Sequence, residues 1–117
     1  MIVVNLYYTG KNGAAREFVN EMESSGIADK VRNEKGNLGY EYFFSQKDEE
    51  TVLLVDKWTD EGAIDVHHKS EMMKEIARLR DKYKLRLKVE KFIKDEAKNK
   101  GYSGRFGAGL PRISDGS

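Results

Sequence analysis

From Ile2 to Tyr8 the chain is rich in β-forming residues, with Ile2, Val4, Leu6 and Tyr8 on one face and Val3, Asn5 and Tyr7 on the other, so a strand is expected. Thr9-Gly10-Lys11-Asn12-Gly13 is a turn and helix entry. Ala14, Phe18 and Met22, flanked by Ala15 and Val19, predict a helix to about Ser24 with a core-facing stripe. Ser24-Ser25-Gly26 ends it, Ile27 and Val31 predict one short helical turn, and Asn33 to Asn37 reads as polar loop. Leu38 to Ser45 is expected to be the second strand, with Leu38, Tyr40, Tyr42 and Phe44 on one face and Gly39, Glu41 and Phe43 on the other.

Beyond a charged connection, Gln46 to Glu50, the run Val52-Leu53-Leu54-Val55 suits a strand covered on both faces, continued by Asp56, Lys57 and Trp58. Thr59 and Asp60 are N-cap residues and Glu61 places negative charge in a first helical turn. Ala63, Ile64 and His67 share one face of that helix, so Trp58 and His67 are expected to line one space between sheet and helix. The helical pattern breaks near Lys69 and restarts with Ser70 as N-cap, running through Met73, Ile76 and Ala77 towards Tyr83. Leu85 to Phe92 alternates and is the fourth strand.

The order β-α-β-β-α-β predicts an α+β domain over residues 1–92, a four-stranded antiparallel sheet with both helical regions on one face. Strands one to three carry large apolar or aromatic side chains on both faces, and helices cover only one. At about 25 cal/mol per Å² of apolar surface, leaving the other face wet forgoes many kcal/mol, so a face-to-face homodimer is expected. Residues 93–117 are charged and then Gly-rich. They read as a flexible tail, with Tyr102, Phe106, Leu110 and Ile113 as spaced anchors should the segment lie across a partner subunit.

Composition narrows the chemistry. With no Cys there is no disulfide, thiolate nucleophile or Cys-ligated metal. The 21 basic and 20 acidic residues nearly cancel, which gives no reason to expect nucleic acid or acidic lipid as a partner. The first residues lack the pattern of a signal peptide, and no apolar run approaches the roughly 20 residues that span a bilayer, so a cytoplasmic location is expected. Of the two His, His67 faces inward and can exchange a proton near neutral pH, whereas His68 lies about 100° around the helix, towards solvent. Adjacent His cannot share a helical face, so no metal site is expected. Trp58 offers a stacking wall, though filling the core at a strand end is the commoner role. Asn5 is a polar amide in an apolar strand and needs a partner. Tyr7, Tyr8, Tyr40 and Tyr42 could supply phenol hydrogen bonds.

The pattern Asp56-x-Trp58, Ala63-Ile64, His67, Ser70 resembles the strand-to-helix motif of the antibiotic biosynthesis monooxygenase family, over about residues 1–92. The resemblance implies a ferredoxin-like dimeric α+β barrel, often with oxygenase activity and no metal or flavin. It implies a site of His67, Trp58 and Asn5; Tyr7, Tyr40, Tyr42 and Met72 are expected as substrate contacts. Met72 stands where many relatives carry a second His. In the haem-degrading branch a Trp replaces His67 and a haem-ligating His stands where this chain has Ala77, so haem degradation is not expected. Three functions follow as alternatives: a cofactor-independent monooxygenase acting with dioxygen on small electron-rich phenols or hydroquinones; an isomerase-type enzyme for a small phosphorylated carbonyl compound, which requires Arg16, Lys57 or Arg86 in the pocket; and a non-catalytic dimeric binding module.

Overall fold

The computed structural model describes residues 1–94. They form β1 (Ile2–Thr9), α1 (Ala14–Ser24), α2 (Ile27–Arg32), β2 (Asn37–Phe44), β3 (Thr51–Trp58), α3 (Glu61–His68), α4 (Glu71–Lys82) and β4 (Arg86–Ile93). The strands pair antiparallel in the order β2-β3-β1-β4. This is the expected ferredoxin-like α+β sheet, with its two helical regions split into α1–α2 and α3–α4. The expectations for the tail lie outside the described residues.

Local chemistry sets the boundaries. Asn12 and Gly13 take positive φ, and their backbone N–H groups donate to the Glu50 carboxylate at 2.9 Å each, which ties the start of α1 to the β2–β3 connection. Asp60 caps α3 by accepting from the Ala63 amide, and Ser70 caps α4 by accepting from the Met73 amide. The break between α3 and α4 falls at Lys69 and Ser70, where the Ser70 hydroxyl donates back to the His67 carbonyl at 2.7 Å.

Alternation along the strands sends Ile2 and Tyr8, Val52, Leu54, Asp56 and Trp58 to the helix-covered face, where all are buried. There they meet Phe18 and Met22 of α1, Val31 of α2 and Leu79 of α4. Burying each large apolar side chain contributes about 1.5–3 kcal/mol. Two details differ from expectation. The buried stripe of α1 is Ala15, Phe18, Val19 and Met22, leaving Ala14, the first helical residue, half-buried. In β2 the register shifts between Asn37 and Gly39, so Leu38 is an inserted residue that points out, 53% exposed, and Asn37 takes the inward position.

Among the described residues, no helix lies over the second face of the sheet. Val3, Asn5, Tyr7, Leu53 and Val55 are half-buried there, and Phe43 and Phe92 are 45% and 51% exposed. Leu53 and Val55 thus have no helix on that side among the described residues.

Candidate active site

A cavity of about 240 Å³ lies between the sheet and α3–α4. Strand register arranges its floor in rows. One row crosses the sheet through Tyr40, Asp56, Val4 and Lys91. The next runs through Leu54, Leu6 and Val89, and Tyr8 and Leu87 lie beyond it. Trp58 and His67 close the polar end, and Ile64, Met73 and Ile76 form the helical roof. The lining is mainly apolar, with its polar groups gathered around Asp56.

His67 is buried in the last turn of α3, its ring tilted 35° against Trp58 with centroids 4.9 Å apart. Its Nδ1 lies 2.7 Å from Oε2 of Glu34, in the turn after α2. Asp56 accepts a hydrogen bond from the Asn37 amide. Burial pushes its carboxyl up to about 6, against the Trp58 and Asn37 donors and the His67 charge, which all favour the ionised form. Tyr8 is pushed up to about 12 by burial, and Tyr40 well above its usual value for the same reason. Both phenols are therefore neutral hydrogen-bonding groups at ordinary pH. The Tyr40 hydroxyl also bonds that of Tyr42 at 3.1 Å. At the mouth, Lys91 pairs with Glu61 of α3.

The structure brings together His67, Trp58, Asp56, Tyr40 and Tyr8 of the residues singled out in the sequence. Tyr42 reaches the cavity only through Tyr40. Asn5 and Tyr7 do not belong to this group, because their position in the β1 alternation places them on the uncovered face, paired with Val55 and Leu53. The Asn5 Oδ1 is buried there without a hydrogen-bond partner among the described residues. On α4 it is Met73, not Met72, that lines the cavity. His68 is exposed as expected but also stands at the cavity rim, with its ring 5.8 Å from that of His67.

Glu34 and Asn37 went unread in the sequence. Both lie in a loop or at a strand end with no periodicity, and the bulge at Leu38 that turns Asn37 inward has no sequence signature. Asp56 was legible only as part of the motif. Its isolation in an apolar run was the available signal for a buried carboxyl.

Arg16, Lys57 and Arg86, the cations named for the isomerase alternative, do not line this cavity. The Arg16 guanidinium stacks over Phe44, 4.4 Å from the ring centroid. Lys57 pairs with Val3 on the uncovered face, and Arg86 lines a separate depression with Lys11 and Lys84. No group of three or more His, Asp or Glu among the described residues is arranged to hold a metal ion.

Comparison with known proteins agrees with this architecture. The chain is 33% identical over 70 residues to YcnE of Bacillus subtilis (strain 168), named as a candidate monooxygenase; the match spans 60% of this chain and 72% of YcnE. A candidate antibiotic biosynthesis monooxygenase from Deinococcus radiodurans superposes with a TM-score of 0.72 at 18% identity, covering 82% of this chain and 94% of that one. SnoaB, a cofactor-independent oxygenase from Streptomyces nogalater solved as an asparagine-to-alanine mutant, superposes with a TM-score of 0.69 at 13% identity over 81% and 93% of the two chains. These likenesses show a shared fold. The model of the antibiotic biosynthesis monooxygenase family matches residues 1–79, more than half the chain and including the whole strand-to-helix stretch that carries Asp56, Trp58 and His67, so the chain belongs to that family.

Proposed function

We propose that the protein is a monooxygenase that uses dioxygen to oxidise small electron-rich phenols or hydroquinones without a bound metal or flavin. The observation that carries this reading is the apolar cavity in which His67, stacked on Trp58, and Asp56 form the polar end. At about 240 Å³ the cavity is below the roughly 300 Å³ of typical drug-sized sites, which suits a small aromatic ring system.

The substrate itself supplies the electrons. His67 takes the proton of a ring hydroxyl, and the resulting electron-rich anion passes one electron to dioxygen. The two radicals recombine at a ring carbon that bears a hydrogen, and the peroxide anion takes the proton back from His67 to give a hydroperoxide. Loss of water from that peroxide leaves a quinone-type carbonyl, so one oxygen atom enters the product and the other leaves as water. The chain's part is to orient the ring against Trp58, exclude bulk water and hold the proton.

The uncovered sheet face supports a homodimer, since Phe43, Phe92 and their half-buried neighbours would be covered by a second copy. The test of the reaction is oxygen uptake by metal-stripped protein across a panel of hydroquinones and anthrones, beside His67→Ala and Trp58→Phe. Uptake above autoxidation that falls in both variants supports the monooxygenase. Binding of the same compounds without uptake makes the protein a binding module instead.

A further inference from the structure

Glu34 does not line the cavity, yet its carboxylate makes the one hydrogen bond of the His67 ring among the described residues. The side chains are only 12% and 7% exposed. Both partners are tied at the backbone. The Glu34 carbonyl accepts from the Asn37 amide at 3.0 Å, the Gly36 carbonyl accepts from the Thr59 amide at 2.9 Å, and the His67 carbonyl accepts from Ser70. The other carboxyl nearby, Asp56, is engaged with Asn37.

A carboxylate only accepts, so the hydrogen in this contact belongs to Nδ1. A neutral imidazole that carries its hydrogen on Nδ1 carries its lone pair on Nε2. Nε2 has no protein partner among the described residues, and it is not among the buried atoms left without one. We propose that Glu34 is a positioning residue: it fixes His67 as the Nδ1–H tautomer, held against Trp58, so that Nε2 is the nitrogen that receives the substrate's proton. The proposal rests on the reading of His67 as the base, but its first test does not require turnover.

That test is nitrogen NMR of the ¹⁵N-labelled full chain, with His68→Gln used to assign the two imidazoles. In the neutral form His67 is expected to show a protonated Nδ1 and a bare Nε2. Glu34→Gln presents an amide that can donate to Nδ1, and a measurable Nε2–H population is expected. Where oxygen uptake is present, kcat should then fall about 10²-fold or more, the scale of a lost general base, with KM changed far less. Glu34→Asp should recover part of both. A wild-type His67 protonated on Nε2 overturns the proposal. So does a Glu34→Gln protein with the wild-type tautomer, whatever its rate, or one with a shifted tautomer and an unchanged kcat. If Glu34→Gln does not fold, the wild-type tautomer still decides. If the tautomer is as stated but no substrate consumes oxygen, the monooxygenase reading fails and the assignment of the Glu34–His67 pair stands.

Discussion

The side-chain amide of Asn37 donates to Oδ1 of Asp56 across 3.1 Å, and it does so from a strand position that a regular alternation would have given to Leu38. The β2 bulge thus delivers a hydrogen-bond donor to a buried carboxyl that Trp58 and His67 also favour in its ionised form. Together they offset only part of the cost of burying that charge.

The stability of the protein should therefore depend on the ionisation of Asp56. Its carboxyl is raised from an ordinary 3.8 to about 6 in the fold. Between these values the folded chain holds a proton that the unfolded chain has released, so stability falls as pH rises through the window and the loss is complete above about pH 6. At about 1.4 kcal/mol per pH unit the loss is up to about 3 kcal/mol. Denaturant titrations from pH 3.5 to 7.5 should show this slope in the wild type and a flatter one in Asp56→Asn, which is expected to be the more stable of the two above pH 6.

Trp58 is wholly buried and forms the wall behind His67. Trp58→Phe keeps an aromatic face but loses the reach to the imidazole. An aromatic contact of this kind contributes about 0.5–1.5 kcal/mol, so kcat/KM for oxygen uptake should drop by up to about tenfold. Trp58→Ala should cost about 3–5 kcal/mol of stability, measurable as a lower denaturant midpoint.

Gly36 has φ of +89°, and a Cβ there would stand 2.5 Å from the Ala63 Cβ and 2.9 Å from the Thr59 Oγ1. Gly36→Ala is expected to destabilise by about 1–3 kcal/mol through strain and by pushing α3 outward. The contact is mutual, so Gly36→Ala combined with Ala63→Gly should be less damaging than the sum of the two. A double-mutant cycle showing simple additivity would count against this account.

Val55 sits beside Asn5 on the uncovered face of the sheet. If a second copy covers that face, the wild type sediments at twice the chain mass, and Val55→Lys should shift it to a single chain with little change in far-UV circular dichroism. A wild type that sediments as a monomer at micromolar concentration removes the homodimer.

Periodicity made most of the fold legible. Alternation in β1 and β3, the caps at Asp60 and Ser70, and the four-residue spacing of Phe18 and Met22 are short-range signals, and the elements they predict are present. His67 and Trp58 were legible for the same reason: a strand end and the next helix face have only one way to meet. The rest of the site depends on contacts between distant segments. Glu34 lies 33 positions from His67 and Asn37 lies 19 from Asp56, and neither loop residues nor a bulge carries a period to read. Asn5 is a contrasting case: the alternation that turns Leu6 towards the cavity turns Asn5 to the other face, a placement already legible in the strand pattern.

The rows on the cavity floor bear on regiochemistry. In the proposed reaction, a ring with its hydroxyl at His67 and over the Asp56 row would lay its remaining carbons over Leu54, Leu6 and Val89. Which ring carbon meets oxygen would then follow from the distance between one cross-strand row and the next, about two residues along a strand or roughly 7 Å. Selectivity of this kind would be written into strand pairing. Substitutions that enlarge the cavity should change which substrates enter, and the oxidised position should stay where the register puts it.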